Sequence, residues 1–261
     1  DVTIDGGTTA LILGASTIEG DLILTSTATG ASGITNTGTL NIRGTTTVSA
    51  SGVDVSLNSA ENNFQGAVAI VGVNVTVVDT NDIILGTSTV TGTTTGYDIT
   101  ASGVTQSSGT ALTVTGATTI SASGNVTLDT AANDFLAAVK IVGVNVVVVD
   151  ANAIDLGAST VTGTYAVTAT AGGDITNSGV LVITYGATFT AAGGQSITLG
   201  QSNTFSDLDV TFCPASCSSP SGTLASVTIK DSDDFDLKAL TLSGNLVVAS
   251  GGSITDSDTL A

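Results

Sequence analysis

Residues 135–163, FLAAVKIVGVNVVVVDANAIDLGASTVTG, occur almost unchanged as residues 64–92, FQGAVAIVGVNVTVVDTNDIILGTSTVTG. The spacing is constant at 71, for the Phe (135 − 64), the Asp (150 − 79) and the closing Gly (163 − 92) alike. Self-similarity at a fixed period decides the architecture before any single residue does. The repeated unit is built from Val, Ile, Thr and Gly, with few strong helix formers, so it reads as a stack of short strands.

Working outward, the same unit recurs along the chain. LGASTIEG at 13–20 matches LGTSTVTG at 85–92, and residues 33–57 match 103–128 and again 174–199. The opening motif returns at Asn203, Thr204 and Phe205, and the pattern resumes as VTIKD at 227–231 after about ten additional residues. Within a unit, strand signals of three to five residues recur every seven or eight positions: 40–42, 47–49, 53–57, 68–70, 73–77 and 83–85. Gly, Ser, Thr, Asn and Asp fill the intervals and are turn formers. Strands this short with no helix between them cannot build βαβ units. An antiparallel sandwich would be expected to show Asn-Gly or Asp-Gly at two-residue loops and stronger aromatic pairing. The expected fold is therefore all-β, a right-handed parallel β-helix of about 11 to 14 coils made from superrepeats of roughly 71 residues. We read residues 1–261 as one elongated solenoid with a Cys/Pro loop inserted near 212–222.

Composition narrows the function. The chain has no His, Met or Trp, and only Arg43, Lys140, Lys230 and Lys238 are cationic. The net charge of −18 comes from 22 acids, of which only Glu19 and Glu61 are not Asp. Asp bonds nearby backbone N–H groups in turns, so the acidity reads as turn chemistry repeated many times. It argues against nucleic acid and anionic membrane as partners, since both are bound by clustered Lys and Arg. The longest apolar runs, at 68–78 and 139–149, are interrupted by Asn74, Lys140 and Asn145, so no membrane insertion is expected. The sequence opens on Asp1 without a basic–apolar leader, and any targeting signal is expected to lie outside it.

The phrases GVTQSSGTALTV, SASGNVTLDTAANDF and VDANAIDLGASTVTG resemble the repeats of filamentous-haemagglutinin-like bacterial surface proteins over nearly the whole chain apart from the insert. The resemblance implies a right-handed parallel β-helix on a long exported protein, an adhesin or matrix filament. It carries no catalytic residue over to this chain.

Several residues are candidate sites. Cys213 and Cys217, in CPASCSSP, are the only cysteines and are expected to close a structural disulfide in an oxidising compartment, with an intermolecular link as the alternative. Zinc is not expected with two Cys and no His. Asp231, Asp233, Asp234 and Asp236 form the densest acidic run; it reads as a solvated turn, with weak calcium binding as the alternative. Asp207 with Asp209, or Asp233 with Asp234, offers the paired carboxylates of a polysaccharide-active enzyme, but the cations and aromatic platforms of such a cleft are nearly missing. The frequent Thr invites comparison with ice-binding ladders, yet it is spread over several positions of the unit. Asn74 and Asn125 head glycosylation triplets. Neither terminal stretch carries a polar cap, so flanking solenoid segments or further copies are expected end to end. The two ends fall at different phases of the repeat, which favours a segment of a longer solenoid over seamless self-stacking. No catalytic residue and no cofactor is assigned. The expected function is a non-catalytic structural rod of a cell-surface or extracellular filament or adhesin. The alternative is a module that binds a surface carbohydrate or protein, and a β-helix enzyme comes last.

Overall fold

The computed structural model describes residues 1–30, 33–206, 209–215 and 222–257. Every described strand pair is parallel, and the chain forms a β-solenoid of about 12 turns. The described residues fall into two compact units, Asp1–Ala137 and Ala138–Ala261.

In the first unit each early turn is three short strands, one per face. The first face stacks Val2–Asp5, Leu22–Thr25, Thr46–Ser49 and Val68–Gly72. The second stacks Leu11–Leu13, Ile34–Asn36, Val55–Leu57 and Val75–Val78. The third holds Ser16–Ile18, Leu40–Ile42 and Asn63–Phe64. Register partners Val75, Tyr97 and Thr118 mark successive turns, 22 and 21 residues long. Strand residues alternate in and out, so Leu40 and Ile42 are buried while Asn41 between them is half-exposed. Burial of a Val, Ile or Leu contributes roughly 1.5–3 kcal/mol, and every turn repeats it against its neighbours.

The 71-residue repeat does not close a whole number of turns. Thr46–Ser49 lies on the first face, but its sequence copy Thr118–Ala122 stands above Tyr97–Ala101 and Val75–Val78, on the second. Conversely Val55–Leu57 is on the second face, while its copy Val126–Leu128 stacks on Val104–Gln106, Ile83–Leu85 and Val68–Gly72. From Thr46 the chain steps one face to Val55, then climbs by way of Val75 and Tyr97 to Thr118. One repeat is three turns plus one face. The second unit follows the same rule: Val146–Asp150 pairs with Tyr165–Ala169, whereas its copy Val227–Asp231 pairs with Ile197–Phe205 and Leu246–Ser250 in the other column. Its core is closed by aromatic contacts, with Phe189 against Tyr165, Phe205 and Phe212 at ring separations of 6.1, 6.2 and 6.0 Å.

The step is made where a long strand meets two short ones. Val68–Gly72 carries Ile83–Leu85 on its first residue and Ser88–Val90 on its last two. Between them the ladder has a gap, and the amide of Ile70 donates to Ser88 Oγ at 3.1 Å instead of to a backbone carbonyl. Ser88 in turn donates to the Gly86 carbonyl at 3.2 Å. Gly86 gives the passing strand room, since a Cβ there would stand 3.0 Å from that of Ala69, tighter than ordinary contact. The next copy repeats this in the second unit, with Ile141, Ser159 and Gly157 in the same roles. The LG-x-ST phrase is thus the sequence of a corner, not of a ligand loop.

Candidate functional site: the ledge where a column of strands ends

Because each repeat advances by one face, the third column of the first unit stops at Asn63–Phe64. A finished edge leaves backbone groups unpaired, and the sequence closes it with two buried polar side chains. Asp79, 3% exposed, accepts the amide of Phe64 on Oδ2 and that of Asn81 on Oδ1, both at 2.9 Å. Asn62, fully buried, accepts Asn36 Nδ2 at 2.8 Å and the Leu40 amide at 2.9 Å, and donates to the Leu57 carbonyl at 3.0 Å. The second unit repeats the cluster: Asn203 accepts Asn177 Nδ2 at 2.8 Å and the Leu181 amide at 2.9 Å, and Asp231 receives the Phe205 amide at 3.4 Å. In the intervening copy Asn133 receives the Leu112 amide at 3.0 Å, with Gln106 where the others have Asn. The signature is Asn-x-Phe followed by an Asp at the end of the second strand after it.

Beside the ledge of the first unit lies an open notch of about 390 Å³ lined by Asn63, Phe64, Gln65, Asn81, Asp82 and Ser102. A second, of about 250 Å³, is lined by Lys230, Asp231, Ser232 and Ser250 among others. The first offers amides, a hydroxyl and a carboxylate, the second hydroxyls, a carboxylate and a lysine, and both suit hydrogen bonding to a polar ligand.

The acidic run is taken up by this turn chemistry. Asp234 accepts the Ser253 amide of the next turn at 2.7 Å. Asp236 accepts Thr255 Oγ1 at 2.7 Å and the Ser257 amide at 3.1 Å, and pairs with Lys238 Nζ at 2.9 Å. Hydrogen bonds from Ser257, Lys238 and Thr255 hold its carboxyl well below the usual range. Elsewhere Asp21 accepts Thr45, Asp54 accepts Asn74, and Asp174 accepts Ser196, each through a backbone amide one turn on at 2.7–3.0 Å. Asn, Thr or Ser follows each of these Asp residues up the stack, so these carboxylates do not sit on one another. Among the described residues no three acidic, Cys or His side chains converge as a metal site.

Asp231 differs from its counterpart Asp79. Its Oδ2 is buried without a hydrogen-bond partner. Burial, and then the Asp233 carboxyl beside it, push its pKa up to about 6. An unfolded Asp titrates near 3.9, so the folded state holds this proton more tightly. The contribution of this corner is fully present below about pH 4 and is lost as pH rises through about 6. The Asp236 corner has the opposite sign and fails as pH falls below about 4. Hydrogen exchange of the Phe205 amide is therefore expected to quicken between pH 5 and 7.5 beyond its intrinsic rate, and Asp231→Asn is expected to remove that excess.

The remaining sequence candidates are placed as follows. Cys213 is disulfide-bonded at the end of Val210–Pro214; Cys217 lies outside the described residues, as do Asp207 and most of the insert. Asp209 is described, and its carbonyl accepts the Ala187 amide at 2.9 Å. Asn74 is occupied, donating to Asp54 Oδ1 at 2.9 Å and accepting the Thr95 and Gly96 amides at 3.0 and 3.1 Å; Asn125 is exposed. Outward Thr do stack, as in Thr176, Thr198 and Thr228, but Asp155 and Val247 bound that row. Sequence reasoning missed the buried Asn and Asp of the ledge, although their recurrence at 62, 133 and 203 and at 79, 150 and 231 was visible.

No helix is long and apolar enough to cross a membrane among the described residues. Comparison with curated proteins and with solved structures finds no match. The family model for repeats of unknown function (DUF5649) matches residues 1–71, 72–142, 143–211 and 224–261, which places its boundaries at the 71-residue period and its gap at the Cys/Pro insert. The chain thus belongs to the DUF5649 family of repeats.

Proposed function

We propose that this chain is a non-catalytic structural segment of a cell-surface or extracellular-matrix filament or adhesin of the filamentous-haemagglutinin-like kind. The supporting observation is the mismatch between repeat and turn. A binding module gathers its contacts on one face, whereas here each repeat carries equivalent outward residues to the next face. What recurs is the machinery of stacking: the corner Ser at 88 and 159, the ledge Asn at 62, 133 and 203, and the Asp at 79, 150 and 231. The disulfide at Cys213 is in keeping with an oxidising compartment. Further solenoid turns, end to end, are the partners this reading calls for. No cofactor enters this reading; Asp234 and Asp236, in the run where weak calcium binding is the alternative, accept hydrogen bonds from protein groups. Electron microscopy of the native material tests the proposal: long uniform fibres support it, and isolated short particles with a saturable ligand count against it. Sugar release from acidic polysaccharides, abolished by Asp233→Ala or Asp207→Ala, would overturn it outright.

The polar notch at Asn63, Gln65, Asn81 and Asp82 favours one second reading, a module that binds surface carbohydrate or protein. Saturable binding on a glycan array that Asn81→Ala weakens would support that reading over the first.

A further inference from the structure

The open notch beside the first ledge has solenoid turns both below and above it. Asn63 pairs with Asn41 of the turn below, and the Ser102 carbonyl accepts the Gly124 amide of the turn above at 2.6 Å. Its lining stands apart from the machinery of stacking. Asn62 and Asp79 return as Asn133 and Asp150, but Asn63, Gln65, Asn81 and Asp82 return as Asp134, Leu136, Asn152 and Ala153. The next copy keeps the residues that close the edge and changes those that border the notch. Asp82 is also an exception among acids of its position. Asp21, Asp54, Asp174 and Asp234 each stand immediately before a strand, and each accepts a backbone amide of the next turn at 2.7–3.0 Å. Asp82 precedes Ile83–Leu85 in the same way, yet it is exposed and has no hydrogen-bond or ion-pair partner among the described residues. No cation offsets it, since Arg43, the one cation against eleven acids in residues 1–137, is paired with Glu19. The rest of the lining has acceptors to spare. Gln65 donates its amide to Asn41 at 3.3 Å and Ser102 its hydroxyl to the Thr80 carbonyl at 3.1 Å, which leaves the oxygen of each open to a donor. The side chains of Asn63 and Asn81 add two carboxamides without partners among the described residues.

We propose that this notch docks an arginine side chain presented by a partner protein, its guanidinium held by the Asp82 carboxylate and the carboxamide oxygens of Asn63, Gln65 and Asn81. A guanidinium carries five N–H donors and no acceptor, the complement of what the lining leaves open. Two of those donors match a carboxylate in parallel bonds, and the group is more weakly hydrated than an ammonium, so it loses less on leaving water. The volume of about 390 Å³ lies within the range of small-ligand sites, roughly 300–1,000 Å³. The acidic surplus of the unit steers a basic partner toward the notch and turns an anionic one away. This rests on the second reading above, that the notch takes a ligand, and narrows it from carbohydrate or protein to a basic protein surface.

The test titrates the full chain, labelled with nitrogen-15, with N-acetyl-arginine methylamide and follows the side-chain amide resonances by NMR. Saturable shifts of Asn63, Gln65 and Asn81 are expected, weakening as salt is added. Asp82→Asn should lower the affinity by about tenfold or more with an unchanged thermal melt, since it removes a charged acceptor from an exposed position. Asp129→Asn takes the same charge from an exposed site outside the notch and should change the affinity less than about twofold. The citrulline analogue, which has nearly the shape of arginine without its charge, should bind at least as weakly as arginine does to Asp82→Asn. No saturable shift, equal binding of the citrulline analogue, or equal losses in Asp82→Asn and Asp129→Asn would overturn the arginine site. A neutral saccharide that shifts these amides where the arginine analogue does not would also overturn it, while leaving the second reading in place, so the two fail separately.

Discussion

Asn62→Ala is expected to destabilise the 1–137 unit by about 2–5 kcal/mol. Asn62 is fully buried and bonds the Leu40 amide, the Leu57 carbonyl and Asn36. Truncation leaves a buried donor and a buried acceptor of the backbone unpaired, at about 1–3 kcal/mol each. Cβ stays in place, so the loss is that of the carboxamide alone. Neighbouring Asn63 points outward and half-exposed, so Asn63→Ala should stay within about 0.5 kcal/mol of the parent. Urea denaturation of both variants measures the difference, and accelerated exchange at the Leu40 amide in Asn62→Ala alone locates it.

The second large effect is steric. Gly96 has φ of +70°, and a Cβ there would fall on the carbonyl oxygen of Ala117 in the turn above. The obstacle is backbone held in a ladder, since the Tyr97 amide donates to that same carbonyl at 2.9 Å. Gly96→Val should therefore cost more than about 4 kcal/mol and abolish cooperative unfolding of the unit. Gly7 supplies the comparison. Its φ is +57° but nothing lies within 4 Å of the added carbon, so Gly7→Ala should cost only the strain of the left-handed backbone, about 1–2 kcal/mol. Thermal melts of the two variants separate close approach from backbone strain.

The contrast between repeat and turn shows how far sequence reading reaches. Period, strand class and parallel stacking follow from the copies themselves, and two of the expected strands, Leu40–Ile42 and Ile83–Leu85, have the expected bounds. The strand expected to stop at Ile70 runs on to Gly72, because the corner above it bonds Gly72 through Thr91. Asp reads as a turn residue, and Asp21, Asp54 and Asp174 behave so. Asp79 and Asp231 instead end buried, because a column of strands stops beside them. Nothing local announces that. A spacing of 71 says that the same phrase returns, but which strand lies beneath it depends on the length of one turn, and a single sequence does not print that length. For the same reason the Ser88 of LG-x-ST reads as a turn residue, when it stands in for a missing backbone acceptor.

One repeat equals three turns plus one face, and the distance between two equivalent positions tests this most directly. Thr47 and Thr119 hold the same place in successive copies and both face outward, Thr47 in the column of Ile23 and Ala69, Thr119 in that of Thr76 and Asp98. Nitroxides placed at both by Thr47→Cys and Thr119→Cys, measured by double electron–electron resonance, should lie more than about 20 Å apart, since the labels leave different faces of a core about 10 Å thick. A sharp distance near 14 Å, three strand spacings of about 4.8 Å up a single column, would contradict the account.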